Sequence, residues 1–314
     1  MKVDKAPSRR DLMEGQRFSA GTFVRVKPKK IILADLDDHK KKDGCLFMDQ
    51  MGESCGRVFK ISKAVHHFFN ENKFKLYRVR SPLYILDSMI CSGPADGFSH
   101  RCDRGCYLLW HQDWLETSDS SALKQDEKNV ILSAPPPRVP TEEKSQKEPS
   151  LSCQLTNIQD VAQKNLWLND FFQLRVKILR STKRKIAFLK NRASRLWKSH
   201  NPAIFQRKYL ADQFRAGDVV RVCSKKEIRS MLNDHDKYKG CFFIDEMYEH
   251  CEKEYRVLKI VENFYDEFKQ KICKCRDTVI LESVVCSGRQ RLYFVNCDRN
   301  CFFFWHTAWL RKIK

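Results

Sequence analysis

The sequence predicts a mainly β protein with some helix: two SH3-like small barrels with short helices, joined by a disordered linker and a basic helical segment. Three observations carry that prediction. A block of roughly 97 residues occurs twice, which is one domain used twice and too long a unit for a solenoid. Within each copy, β-branched and aromatic residues recur at strand spacing. Between the copies the composition shifts to Ser, Pro, Lys and Glu, and then to a basic amphipathic pattern.

The repeat begins with Phe18-x-Ala20-Gly21-x-x-Val24-Arg25-Val26, which returns 196 positions later as Phe214-x-Ala216-Gly217-x-x-Val220-Arg221-Val222. The same offset holds through Gly44-Cys45-x-Phe47-x-Asp49-x-Met51, matched by Gly240-Cys241-x-Phe243-x-Asp245-x-Met247, and through Cys55 and Cys251. One residue is then lost. Cys91-Ser92-Gly93 pairs with Cys286-Ser287-Gly288, and Cys102-Asp-Arg-Gly-Cys106-Tyr-Leu-Leu-Trp110-His-Gln-Asp-Trp114-Leu115 with Cys297-Asp-Arg-Asn-Cys301-Phe-Phe-Phe-Trp305-His-Thr-Ala-Trp309-Leu310. The boundaries follow: a flexible N-terminus over 1–17, a first module over 18–116, a linker over 117–154, a basic amphipathic helical segment over 155–210 and a second module over 214–314.

Strands are expected at Val24–Val26, Val58–Ile61 and Tyr84–Leu86, and more clearly at 218–222, 255–261 and 278–285. A short helix is expected at Glu227–Leu232. Another is expected from each closing Cys pair through the second Trp, where Trp110/Trp114 and Trp305/Trp309 have i, i+4 spacing and form a core stripe. Such small barrels need more than their cores for stability, and a metal staple would supply it.

Fourteen cysteines in a chain with no apolar leader argue for reduced thiols in an intracellular protein, in the cytoplasm or, in a eukaryote, the nucleus. Ten of them form five matched pairs; Cys153, Cys223, Cys273 and Cys275 have no counterpart. A closed structural zinc site takes four soft ligands at tetrahedral corners. Cys102 and Cys106, one helical turn apart, can grip one ion, with Cys91 and Cys55 completing the set. The second copy offers Cys251, Cys286, Cys297 and Cys301, so the expectation is two structural Zn2+ per chain. Cys45, Cys241, His111 and His306 are substitutes. The competing reading has the cysteines packed as small reduced hydrophobes. Asp103-Arg104 and Asp298-Arg299 either present an arginine to an anion or form local ion pairs around the metal.

The net charge of +20 points to a polyanionic partner and says nothing about fold. Half of the ten prolines fall between Thr117 and Ser150, as expected of an extended linker. From Asn157 to Arg207 the pattern is helical, interrupted near Pro202, with Lys177, Arg180, Arg184, Lys185, Arg192, Arg195 and Lys198 opposite an apolar stripe. That face suits the phosphates of nucleic acid, an anionic membrane surface touched peripherally, or an acidic groove on a protein partner; a merely solvated face is the alternative. No run of about 18 apolar residues is present, so no transmembrane helix is expected.

Together, Gly-Cys-x-Phe-x-x-x-Met-x-x-x-Cys, Val-x-Leu-x-x-Val-x-Cys and Cys-Asp-Arg-x-Cys-Phe-Phe-Phe-Trp-x-x-x-Trp-Leu resemble an uncharacterised family of small cysteine-rich, SH3-like proteins. Its members are often bacterial, typically single modules lying near polysaccharide and glycosyltransferase genes. The second copy, from Gly217 to Leu310, matches well. The first departs at Tyr107-Leu-Leu109 and at Pro82-Leu83, and His111 and His306 stand where the family would have Arg. The resemblance implies a module, not an activity. Three functions therefore remain: a non-catalytic binding or scaffold protein, a nucleic-acid-binding protein using the basic helix and barrel faces, or a metal-dependent enzyme acting on glycans. The last needs an open metal position, and no paired-carboxylate or phosphate-cradling motif accompanies it.

Overall fold

The computed structural model describes residues 17–93, 101–119, 153–163, 214–289 and 296–313. The chain divides into two compact units: residues 1–164 with 263–274 and 298–301, and residues 165–262 with 275–297 and 302–314.

The first unit is built on an antiparallel sheet. Strand β1 (Phe23–Val26) leads to helix α1 (Lys29–Ala34), the short ribbon β2 (Lys41–Lys42) and β3 (Cys45–Leu46), and a 3-10 turn at Asp49–Ser54. A long hairpin follows, β4 (Val58–Asn70) and β5 (Lys75–Ile90), then β6 (Tyr107–His111), a 3-10 turn at Gln112–Trp114 and β7 (Leu115–Thr117). The strand order is β6-β5-β4-β1-β7. Val24 and Val26 alternate with half-buried neighbours, as one face of a pleated strand requires. Pro82 does not end its strand. Between Val65↔Leu83 and His67↔Arg78 the pairing slips by several residues, and the resulting bulge takes the residue that has no N–H to donate.

The second sheet repeats the strand order of the first. Its strands are β8 (Val219–Val222), β11 (Glu254–Asp266), β12 (Lys271–Leu281), β13 (Trp305–His306) and β14 (Leu310–Lys312), with the ribbon β9 (Lys237–Tyr238) and β10 (Cys241–Phe242). Helix α2 (Lys225–Met231) overlaps the helix expected at Glu227–Leu232, with Leu232 as its C-cap, and begins on a capping box: Ser224 N donates to Glu227 Oε2 at 2.9 Å, and Glu227 N donates to Ser224 Oγ at 3.3 Å. The protein is thus mainly β, with two five-stranded antiparallel sheets.

Two expectations need correcting. The segment from the closing Cys pair to the second Trp is not a helix: in each copy the first Trp lies in a strand and the second ends a 3-10 turn. Ladder pairing decides it, since Tyr84↔Trp110 and Ile85↔Leu109 give this aromatic-rich run strand partners that outweigh its helix-like spacing. Trp110, Trp114, Trp305 and Trp309 are fully buried, so the core role stands without the helix. Likewise, residues 153–163 do not begin a long helix. They make a turn, a 3-10 turn at Ile158–Val161 and a bridge from Ala162 to Val79, and bury Leu155, Ile158 and Val161 in the first unit. The proposed polyanion face, Lys177 to Lys198, lies outside the described residues.

Gly93 (φ +73°) and Gly288 (φ +71°) hold equivalent left-handed positions, and a Cβ there would overlap the carbonyl oxygen of Cys102 and of Cys297. Gly93→Ala and Gly288→Ala should each lower unfolding free energy by at least about 1–3 kcal/mol from backbone strain alone. Urea unfolding of the full chain measures it, with Gly21→Ala, whose Cβ would meet nothing within 4 Å, as the strain-only reference.

Candidate metal centre

The turn and loop that flank the β5–β6 ladder bring three of the expected ligands together. Cys91 follows β5, and its N–H donates to the Cys106 carbonyl at 2.7 Å, just before β6. The 102–106 loop is irregular rather than helical, with Gly105 in the left-handed region, so the two cysteines are not presented from one helical turn as expected. Cys102, Cys106 and Cys91 nevertheless line one small void, and the fourth thiol there is Cys153, not Cys55. Cys153 is placed by its neighbour. The buried Gln154 amide accepts from Leu109 N at 2.8 Å and donates to Leu109 O at 2.8 Å and Leu46 O at 2.9 Å, so the side chain pairs with β6 and β3 as a strand backbone would.

Donors are aimed at these sulfurs. Gly93 N and Gln50 Nε2 each stand 3.3 Å from Cys91 Sγ, Tyr265 N is 3.3 Å from Cys102 Sγ, and Leu155 N is 3.4 Å from Cys153 Sγ. N–H donation favours thiolate over thiol. Burial acts the other way, pushing the Cys106 thiol well up and Cys153 up to about 12. As placed, no group of three or more His, Cys, Asp or Glu among the described residues could hold a metal ion.

The other candidates lie elsewhere. Cys45 is buried in the first core with Sγ 3.6 Å from Leu109 O, and Cys55 Sγ faces Met51 O at 4.0 Å. Cys241 Sγ lies 3.6 Å from Phe304 O; Cys251 and Cys286 pack on the second core; Cys297 is buried and donates its N–H to Gly288 O. Cys301 belongs to the first unit, on an adjoining void that Cys91, Cys106 and Cys153 also line. The matched thiols of the two copies thus stand in different surroundings, and Cys153, which has no counterpart, lies beside three of them.

His111 and His306 are turn caps. His111 Nδ1 accepts from Asp113 N at 3.2 Å and His306 Nδ1 from Ala308 N at 3.1 Å, which requires each to be neutral. Burial holds His111 below its ordinary value, against the pull of Asp113 and Asp43. Burial likewise lowers His306 to about 4, opposed by Asp277.

The motif's Asp and Arg are engaged inside the first unit. Asp103 N donates to Asn263 O at 2.7 Å and Asn263 N to Asp103 Oδ2 at 3.1 Å; in the equivalent pair, Asp298 N donates to His67 O at 2.8 Å and His67 N to Asp298 Oδ2 at 2.9 Å. Arg299 makes a bidentate pair with Glu267, both bonds 3.0 Å, and Arg104 reaches the same carboxylate at 2.9 Å and Tyr265 O at 3.0 Å. Glu71, the repeat equivalent of Glu267, approaches Arg104 at 3.3 Å. The ion-pair reading of these arginines is the one that the geometry supports.

Comparison of the chain with protein-family models, with curated proteins and with solved structures finds no match.

Two outcomes are expected. Glu267, 4% exposed, should be far more sensitive than Glu71, 44% exposed. Glu267→Gln leaves two buried guanidiniums short of a counter-charge and should cost about 3–5 kcal/mol, against about 0–1 kcal/mol for Glu71→Gln, as read by urea unfolding. For His306, the unfolded chain takes up a proton near 6.5 and the folded chain only near 4, so the unfolded state binds more protons in between. Stability should be full above about pH 6.5 and fall as pH drops toward about 4. His306→Asn, which keeps an acceptor and does not titrate, should lessen that slope in unfolding curves taken across the window, leaving the share that His111 and the other histidines lowered by burial contribute.

Proposed function

We propose that this chain is a non-catalytic intracellular binding or scaffold protein built from two SH3-like modules stapled by structural zinc. The observation that carries this reading is what the repeated motif does. Its aspartates accept backbone amides, its arginines neutralise buried carboxylate, its histidines cap turns and its tryptophans fill cores. Residues committed to such contacts hold a module together and leave binding to the surface between and around the motifs. The SH3-like class draws support from five antiparallel strands in the same order in each copy, with a 3-10 turn between the last two. Among the described residues no helix is long and apolar enough to cross a membrane.

The net charge of +20 favours a second reading, nucleic-acid binding through the basic segment. Native mass spectrometry on tagged full-length protein drawn from its source separates the two. The scaffold reading expects a protein partner at fixed stoichiometry that survives added salt. Recovery with nucleic acid alone, released by salt, overturns it in favour of the second. In that case replacing Arg180, Arg184, Arg192 and Arg195 by Gln should reduce the log–log salt slope of DNA binding by about 3–4.

A further inference from the structure

We propose that Cys91, Cys102, Cys106 and Cys153 together bind one Zn2+ as a closed four-thiolate site, with Cys153, from outside both copies of the repeat, as the ligand that completes it. The inference rests on the structural-zinc part of the reading above and names the ligands.

Four observations converge on it. These four thiols, and no other cysteine, line one small void. Three of the four sulfurs accept a backbone N–H, from Gly93, Tyr265 and Leu155, and Cys91 takes a further bond from the Gln50 amide. Outer donors of this kind orient thiolate ligands and spread their charge. Arg104 lines the same void and offsets part of the net negative charge that four thiolates leave on a divalent ion. Gln154 locks the backbone beside Cys153 to two strands, so this ligand is positioned before any metal arrives.

The sulfurs as placed fall short of a coordination sphere. Binding therefore has to draw the side chains in to about 2.3 Å from a common centre. As it does so the four thiols release their protons to solvent, and zinc–sulfur bonds replace the S–H bonds. Cys301 lines the adjoining void with Cys91, Cys106 and Cys153, and Cys102 is taken in its place because Cys102 lines the smaller void and its sulfur accepts the Tyr265 N–H at 3.3 Å. Cys55, facing the Met51 carbonyl, is outside it too. The consequence is a tie across the linker: zinc joins the segment at 153–163 to the loop ahead of β6.

The test is thiol footprinting of the full chain, reduced, loaded with Zn2+ and treated with iodoacetamide with and without chelator, each cysteine being read by peptide mass spectrometry alongside total zinc. Cys91, Cys102, Cys106 and Cys153 should be protected together and become reactive together when zinc is removed. Cys153→Ser should lose one zinc per chain, Cys153→His should retain it, and Cys55→Ser should leave it untouched. Bound zinc with Cys153 reacting at the same rate in both states would overturn this ligand set while leaving structural zinc in place. A chain that takes up no zinc would overturn both. The wild-type footprint decides the matter even if Cys153→Ser does not fold.

Discussion

The carboxylate of Glu267 lies almost wholly buried between the guanidiniums of Arg299 and Arg104. A charge so placed is tolerable only while its partners stay in hydrogen-bonding reach, because desolvation costs several kcal/mol per ion. The loops that carry those arginines also carry Cys102, Cys106 and Cys301. Fixing the ion pairs therefore fixes the thiols, and the two features that looked separate in the sequence are one constraint. The backbone bonds from Asp103 to Asn263 and from Asp298 to His67 hold the same loops from the other side.

The duplication shows in these contacts. Arg104 and Arg299 are equivalent, as are Glu71 and Glu267, yet the equivalence is broken in use. Glu267 takes both arginines and is buried, whereas Glu71 stays nearly half exposed at longer distances. Equal residues can thus differ greatly in how much they contribute, since the strength of an ion pair depends on the water removed from it.

Matching the copies singled out ten thiols as belonging to the module, but that correspondence reports ancestry of position, not shared chemistry. Cys45 packs as a small hydrophobe in a core. Cys153, unmatched and assigned to a linker, sits with three matched cysteines because Gln154 and the apolar residues Leu155, Ile158 and Val161 anchor its segment. The spacing of that Leu-x-x-Ile-x-x-Val run suits the start of a helix, but the chain makes a 3-10 turn there at Ile158–Val161.

By itself the sequence determined the duplication, the mainly β class, part of each of the strands β1, β4, β5, β8, β11 and β12, and a helix at 227–232 that overlaps the observed 225–231. These rest on local periodicity, capping and self-similarity, all of which lie within a few residues or a fixed offset. It also placed Cys91, Cys102 and Cys106 in one neighbourhood, because they bracket a single turn and loop. Only the tertiary structure decided that the Trp-bearing run is a strand, that His111 and His306 cap turns, that Pro82 sits in a bulge and that Cys153 replaces Cys55 beside the other thiols. Each of those depends on a partner far away in the chain: β5 for the tryptophans, β4 for the bulge, Leu109 and Leu46 for Gln154. A local pattern carries no record of such a partner, and ladder pairing or a buried hydrogen bond overrides the local preference when the partner arrives.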